Sequence, residues 1–167
     1  MNSTSPAPQS ASASLPHSAC LGLGSNTDPA RHLRAAVDRL RETLVVETVS
    51  GAWQSPAYGC AAPDYVNAAL LVRTDLSLVE LAALLKRTEQ DLGRTPGRES
   101  LLVPIDIDLL VYDGVVQRAD LWDLAFRAVT VGQLLPDLRS TEASESLAAA
   151  SRRLAARTRI TPRADIL

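Results

Sequence analysis

Apolar and polar positions alternate most clearly in the run Val103-Pro104-Ile105-Asp106-Ile107-Asp108-Leu109-Leu110-Val111-Tyr112. That pattern predicts a strand with Ile105, Ile107 and Leu109 on one face. Asp106 and Asp108 fall on the other, their Cα atoms about 6.5–7 Å apart. Upstream, residues 18–24 make a short apolar strand that ends in Gly24-Ser25-Asn26. Leu33, Val37, Leu40 and Leu44 then recur at helical spacing, with Asp28 as the expected cap and Pro29 at the first helical position. Residues 45–54 and 65–74 are β-rich, and the Pro- and Gly-containing stretch Ser55-Pro56-Ala57-Tyr58-Gly59-Cys60-Ala61-Ala62-Pro63 between them reads as a loop. Ser77 followed three residues later by Glu80 is a capping-box pattern. It opens a second helix whose apolar side is Leu81, Leu84, Leu85 and Leu92, and Gly93 ends it.

The order is β-α-β-β-α-β, which predicts an α+β, ferredoxin-like fold with an antiparallel sheet flanked by helices. C-terminal additions are expected as a strand near 114–118, a helix near 129–136 and an arginine-containing helix near 143–158. The first 17 residues are mostly Ser, Ala and Pro and read as a disordered extension. Residues 18–160 are expected to form a single domain, with 161–167 as a tail. No internal repeat is visible.

Composition narrows the function classes. A formal net charge of −2 and only two Trp, three Tyr and one Phe leave neither a basic stripe nor an aromatic platform for nucleic acid. No apolar run reaches the length of a membrane span. Cys20 and Cys60 show neither metal-ligand spacing nor a disulfide framework, so reduced thiols in a cytoplasmic, monomeric protein are the expectation.

The two aspartates are the main chemical signal. Like charges on one strand face repel, and burying either without a partner is costly. A divalent cation would relieve both problems, because Mg²⁺ takes one or two carboxylates together with substrate phosphates. The competing reading is a strand whose second face simply meets water. Asn67, in an otherwise apolar strand, needs several hydrogen-bond partners if buried, and Tyr65 fits a core position as well as a ligand site.

Gly24-Ser25-Asn26, Pro63-Asp64-Tyr65-Val66-Asn67-Ala68-Ala69, Glu89 with Gly93-Arg94, and Asp106-Ile107-Asp108 together resemble the hydroxymethyldihydropterin pyrophosphokinase family. The resemblance runs from about Cys20 to Leu138. It implies Mg²⁺-dependent transfer of the β,γ-pyrophosphoryl unit of ATP to the hydroxymethyl oxygen of a reduced pterin, leaving AMP, a step of folate synthesis. By the same resemblance Asp106 and Asp108 would hold two Mg²⁺ ions, with Arg94 approaching the triphosphate. Glu89, Arg98 and Arg127 would serve the nucleotide. Asn67 and the segment Ser55-Pro56-Ala57-Tyr58 would read the pterin edge, and Tyr65 would stack on its ring.

Two stretches depart from the family pattern. Where the family has an Arg-Trp-Gly-Pro-Arg type of sequence before the aspartate strand, this chain has Glu99-Ser100-Leu101-Leu102-Val103, and Arg98 replaces the first arginine only with a one-residue shift. The family's histidine ahead of an Arg-x-Phe segment is also absent. Arg127 is retained, Val129 stands at the second stacking position, and Phe126 or Trp122 is left to refill that space. These losses raise the alternative of a family member that binds pterin or nucleotide without turnover.

Overall fold

In the computed structural model, which describes residues 16–95, 101–139 and 144–167, the sheet is organised around β1 (His17–Ser25). It runs antiparallel to β4 (Tyr65–Thr74) on one side and to β5 (Asp106–Tyr112) on the other. β4 also pairs with β2 (Val45–Val49) and with β3 (Trp53–Ser55), so the expected single strand over 45–54 is two strands in sequence. Ser50 makes the break: its hydroxyl accepts from the Ala69 amide at 2.8 Å, where a ladder bond would otherwise lie. β6 (Val115–Val116) folds back on β5 through Asp113 and Gly114, both at positive φ, the backbone that a two-residue hairpin requires. The order is β6-β5-β1-β4-β3-β7, with β7 (Thr161–Pro162) on the far edge.

Helices α1 (Pro29–Arg41) and α2 (Leu78–Asp91) cover one face. Leu33, Leu40, Leu81 and Leu85 pack there against Leu21, Leu70, Ile105 and Ile107. The other face is also apolar, at Cys20, Ala69 and Leu110, and it is closed by α3 (Ala125–Leu134) and α4 (Leu147–Ala155). The α+β fold with flanking helices is therefore as expected, and the C-terminal helices form its second layer. A bulge lies between Cys20 and Leu21 of β1, opposite the Leu109–Val111 segment, and it lets Leu110 and Val111 both join the second core.

The Ser77–Glu80 capping box is present. Gly93, at φ 97°, closes α2 in a Schellman arrangement, with the Arg94 amide donating to the Glu89 carbonyl. Asp28 precedes α1 but makes no side-chain cap; its backbone is left-handed, and its carbonyl accepts from Arg31 and His32 instead. The strand starts at His17, inside the stretch read as extension, and residues 1–15 lie outside the described ones. Residues 161–167 are no loose tail: β7 pairs with β3, and Ile166 is fully buried in the first core.

Among the described residues, no helix is long and apolar enough to cross a membrane. Cys20 is buried, and burial pushes its thiol up to about 12, whereas Cys60 is exposed. A thiol reagent at neutral pH is expected to titrate one cysteine in the folded protein and both after denaturation. Rapid reaction of both without denaturant would show that the second core is open.

Candidate active site

Gly22 and Gly24 of β1 lie directly across from Asp108 and Asp106 of β5, and Gly24 also faces Asn67 of β4. A Cβ on Gly24 would come within 3.0 Å of the Asn67 amide oxygen, and one on Gly22 within 2.8 Å of Leu110. Glycine at these positions leaves a hollow over the sheet. It becomes a cavity of about 260 Å³, walled by the sheet, the loop after β3, and α3.

Asp106 and Asp108 line this cavity together with Ser55, Pro56, Tyr58 and Tyr65. Asn67 and Arg127 complete the predicted residues found there. Asn67 is 6% exposed and donates to the Ser55 hydroxyl at 3.2 Å, so the apolar strand does bury an amide beside the cavity. The Tyr65 hydroxyl is pushed up, by burial first and then by the charge of Asp106. Phe126 lines the cavity, whereas Val129 and Trp122 are buried outside its lining.

The two carboxylates differ. Burial and the neighbouring Asp108 charge push Asp106 above the ordinary carboxylate range, with Arg94 opposing from 3.3 Å. Burial also acts on Asp108, but Arg118 and Arg127 outweigh it and hold this carboxyl low. Each Asp108 oxygen has its own arginine: Arg118 on one, and Arg127 at 2.6 Å on the other. Arg127 is fixed in turn by Asp120 and lies over the Phe126 ring, 5.5 Å from its centroid.

Three predicted residues sit elsewhere. Ala57 is not in the cavity lining. Glu89 is 3% exposed at the open edge of β5, where it accepts from the Ile107 amide at 2.7 Å and from Lys86 at 2.9 Å. It is not among the residues lining the cavity, and its carboxylate anchors the aspartate strand through the Ile107 amide. The Schellman turn carries Arg94 up to the start of β5, where its guanidinium meets the Ile105 carbonyl at 3.2 Å as well as Asp106. Arg98 lies outside the described residues.

Gly24-Ser25-Asn26 also has a structural use. The Asn26 side chain accepts from the Val103 amide at 2.6 Å and donates to the Leu101 carbonyl at 2.7 Å, while the Asn26 amide donates to the Val103 carbonyl at 3.1 Å. The motif thereby fastens the chain entering β5, which sets where Asp106 begins.

Arg118, Asp120 and Thr130 are cavity or carboxylate partners that sequence reasoning missed. A signal for Arg118 exists. The Asp113-Gly114 turn folds the chain back so that Gln117 donates to Leu110, and the next residue then falls beside Asp108.

Among the described residues no group of three or more His, Cys, Asp and Glu is placed to hold a metal. The donor set is two carboxylates from one strand face. That fits Mg²⁺ completed by substrate phosphates and does not fit a metal caged by protein alone.

The chain is similar to several known proteins. A curated pyrophosphokinase of Methylorubrum extorquens is 33% identical over 132 residues, covering 72% of this chain and 84% of its own. One from Aquifex aeolicus is 34% identical over 103 residues, 60% of this chain and 64% of its own. The mitochondrial folate synthesis bifunctional protein of Pisum sativum is 35% identical over 104 residues, of which the match spans 20% of the pea protein. In structure, Plasmodium falciparum HPPK-DHPS with pterin and p-hydrobenzoate superposes at a TM-score of 0.70 over 88% of this chain and 46% of that chain. At 8% identity this last likeness speaks for the fold alone. Residues 20–159 match the family described as 7,8-dihydro-6-hydroxymethylpterin-pyrophosphokinase, and the chain belongs to that family.

Proposed function

We propose that this protein transfers pyrophosphate from ATP to 6-hydroxymethyl-7,8-dihydropterin, giving AMP, in the synthesis of folate. The observation that carries the reading is the pairing of Asp106 and Asp108 with Gly24 and Gly22, on the floor of a cavity whose wall holds Tyr65, Asn67 and Phe126. The aromatic side chains suit a flat heterocycle, and the buried Asn67–Ser55 pair suits its hydrogen-bonding edge.

Asp106 and Asp108 are the residues that would hold Mg²⁺, which when bound supplies charge neutralisation for the phosphates. Asp106 has the carboxylate with the greater unmet need for positive charge. Asp108 is already compensated by Arg118 and Arg127, and a triphosphate gives those guanidinium groups an alternative acceptor. Arg94, beside Asp106, completes a cationic rim around the carboxylates. These three arginines lie where they can offset the change in the loop before β5. Positioning and charge stabilisation dominate phosphoryl transfer, so the scarcity of a general base in the cavity is consistent with the reaction.

The double arginine grip on Asp108 also favours a second reading, in which ligand binds but Asp108 is never released and no transfer follows. Release of AMP from Mg²⁺ and ATP, measured with and without the pterin, separates the two. Pterin-dependent AMP is the expected result. Binding by calorimetry with no AMP would establish the second reading, and neither binding nor turnover would remove both.

A further inference from the structure

The cavity-lining loop leaves the sheet at Ser55 and returns at Tyr65, and the residues at its neck are tied together. Gln54 donates from its side-chain amide to Asp64 at 3.1 Å. Both neck residues are then gripped by the C-terminal segment. Arg159 Nη2 is shared between the two Asp64 carboxylate oxygens, each at 3.0 Å, and Arg163 donates to the Gln54 side-chain oxygen at 2.7 Å.

The gripping segment is itself anchored. Trp53 and Gln54 pair with Pro162 and Thr161, and the Arg163 amide donates to the Ala52 carbonyl at 2.8 Å. Arg163 is held in a fork by Asp165, at 3.0 Å to each oxygen. Ile166 is buried in the first core, and Arg34 of α1 donates to the carbonyls of Asp165 and Ile166, each at 2.8 Å. A continuous chain of contacts therefore runs from α1 through the C-terminus to the loop neck. β3 is only three residues long, so its own ladder does little to fix where the loop departs.

We propose that residues 159–166 form a clasp that closes the neck of the 56–64 loop. Arg159 and Arg163 are then positioning residues for the acceptor side of the cavity. They touch no cavity residue directly; they act through Asp64, adjacent to Tyr65, and Gln54, adjacent to Ser55. The clasp rests on the proposed function for the identity of the acceptor, a reduced pterin, and on geometry alone for the closure of the loop. Because the nucleotide would meet the arginines and carboxylates across the cavity, the clasp affects the acceptor and leaves ATP largely untouched.

The test uses Arg159→Ala, Asp64→Asn and their combination, with Arg159→Lys as the conservative variant. Arg159 is mostly exposed, so its loss leaves the cores intact. The KM for pterin is expected to rise roughly two- to fivefold in each single variant, the range of an exposed ion pair, with kcat and the KM for ATP unchanged. The double variant should be no worse than either single one, and Arg159→Lys should recover part of the loss. Cleavage by chymotrypsin after the exposed Tyr58 should accelerate in parallel, with or without substrate.

An unchanged pterin KM, an equal rise for ATP, or additive single effects would overturn the clasp. So would unchanged cleavage at Tyr58, which decides the matter even if the wild-type protein proves inactive. Failure of the wild type to bind or convert pterin would count against the proposed function and not against the loop closure.

Discussion

Asparagine in place of Asp106 is expected to lower pterin-dependent AMP formation by about 10²–10³-fold while leaving the protein folded and slightly more heat-stable. The two effects share one cause. Burial and the nearby charge of Asp108 raise the Asp106 carboxyl, so its ionised form is favoured more in the unfolded chain than in the fold. The resulting destabilisation is absent at pH values below the ordinary carboxylate range. It sets in as pH rises through the raised value and is fully present near neutrality. Asparagine removes that charge and its repulsion, but it also removes a ligand for Mg²⁺.

Thermal melting at neutral pH, with and without Mg²⁺ and a non-hydrolysable ATP analogue, checks both halves. The wild type should gain stability from the pair of ligands and the variant should not. A variant that keeps full activity would sink the metal role of Asp106. One that melts well below the wild type would show that the Arg94 contact, at 3.3 Å, outweighs the cost of the charge.

The second large effect is expected at Glu89. Its carboxylate accepts the Ile107 amide, and Ile107 sits between the two aspartates with its side chain 1% exposed. β5 is paired with β1 on one side, but β6 reaches only Val111 and Tyr112 on the other. Glu89 thus supplies the acceptor that a neighbouring strand does not.

Glu89→Ala would leave a buried N–H without a partner, which costs about 1–3 kcal/mol. For a chain of this size that is a fall in melting temperature of about 2–12 °C. AMP formation should fall as well, because both carboxylates hang from the loosened segment. Glu89→Gln keeps an acceptor oxygen at the same reach and should retain most of the stability. Equal loss in both variants would show that charge, acting through Lys86, matters more than the amide bond. No loss in either would remove Glu89 as an anchor.

Glu89 and Arg94 also show how far the sequence could be read. Their motif is legible in the sequence, but where each side chain stands is not. A glutamate at the C-terminal end of a helix carries no mark of whether it faces a cleft or the edge of a strand. That depends on the angle at which α2 crosses β5. Asp108 shows a related limit. Its place on the strand face followed from alternation, while its two arginine partners follow from a hairpin and a helix whose packing is not encoded locally. The C-terminal segment reads as a tail in the sequence because its seven residues, with one Arg and no helical period, carry no local signal of a strand. Only the open edge of β3 and the pocket for Ile166 give it one.

By itself, then, the sequence determined the β-α-β-β-α-β order, the capping of α2, the face on which Asp106 and Asp108 stand, and the family to which the motifs point. These are consequences of period, of turn chemistry and of residues within a few positions of each other. Tertiary structure alone decided that the second face of the sheet would be closed by α3 and α4. It also placed Phe126 in the cavity, put Glu89 at the open edge of β5 and brought the C-terminal segment across the neck of the 56–64 loop. Each of these joins residues far apart in the chain, and no local pattern records which distant surface will be left for a segment to cover.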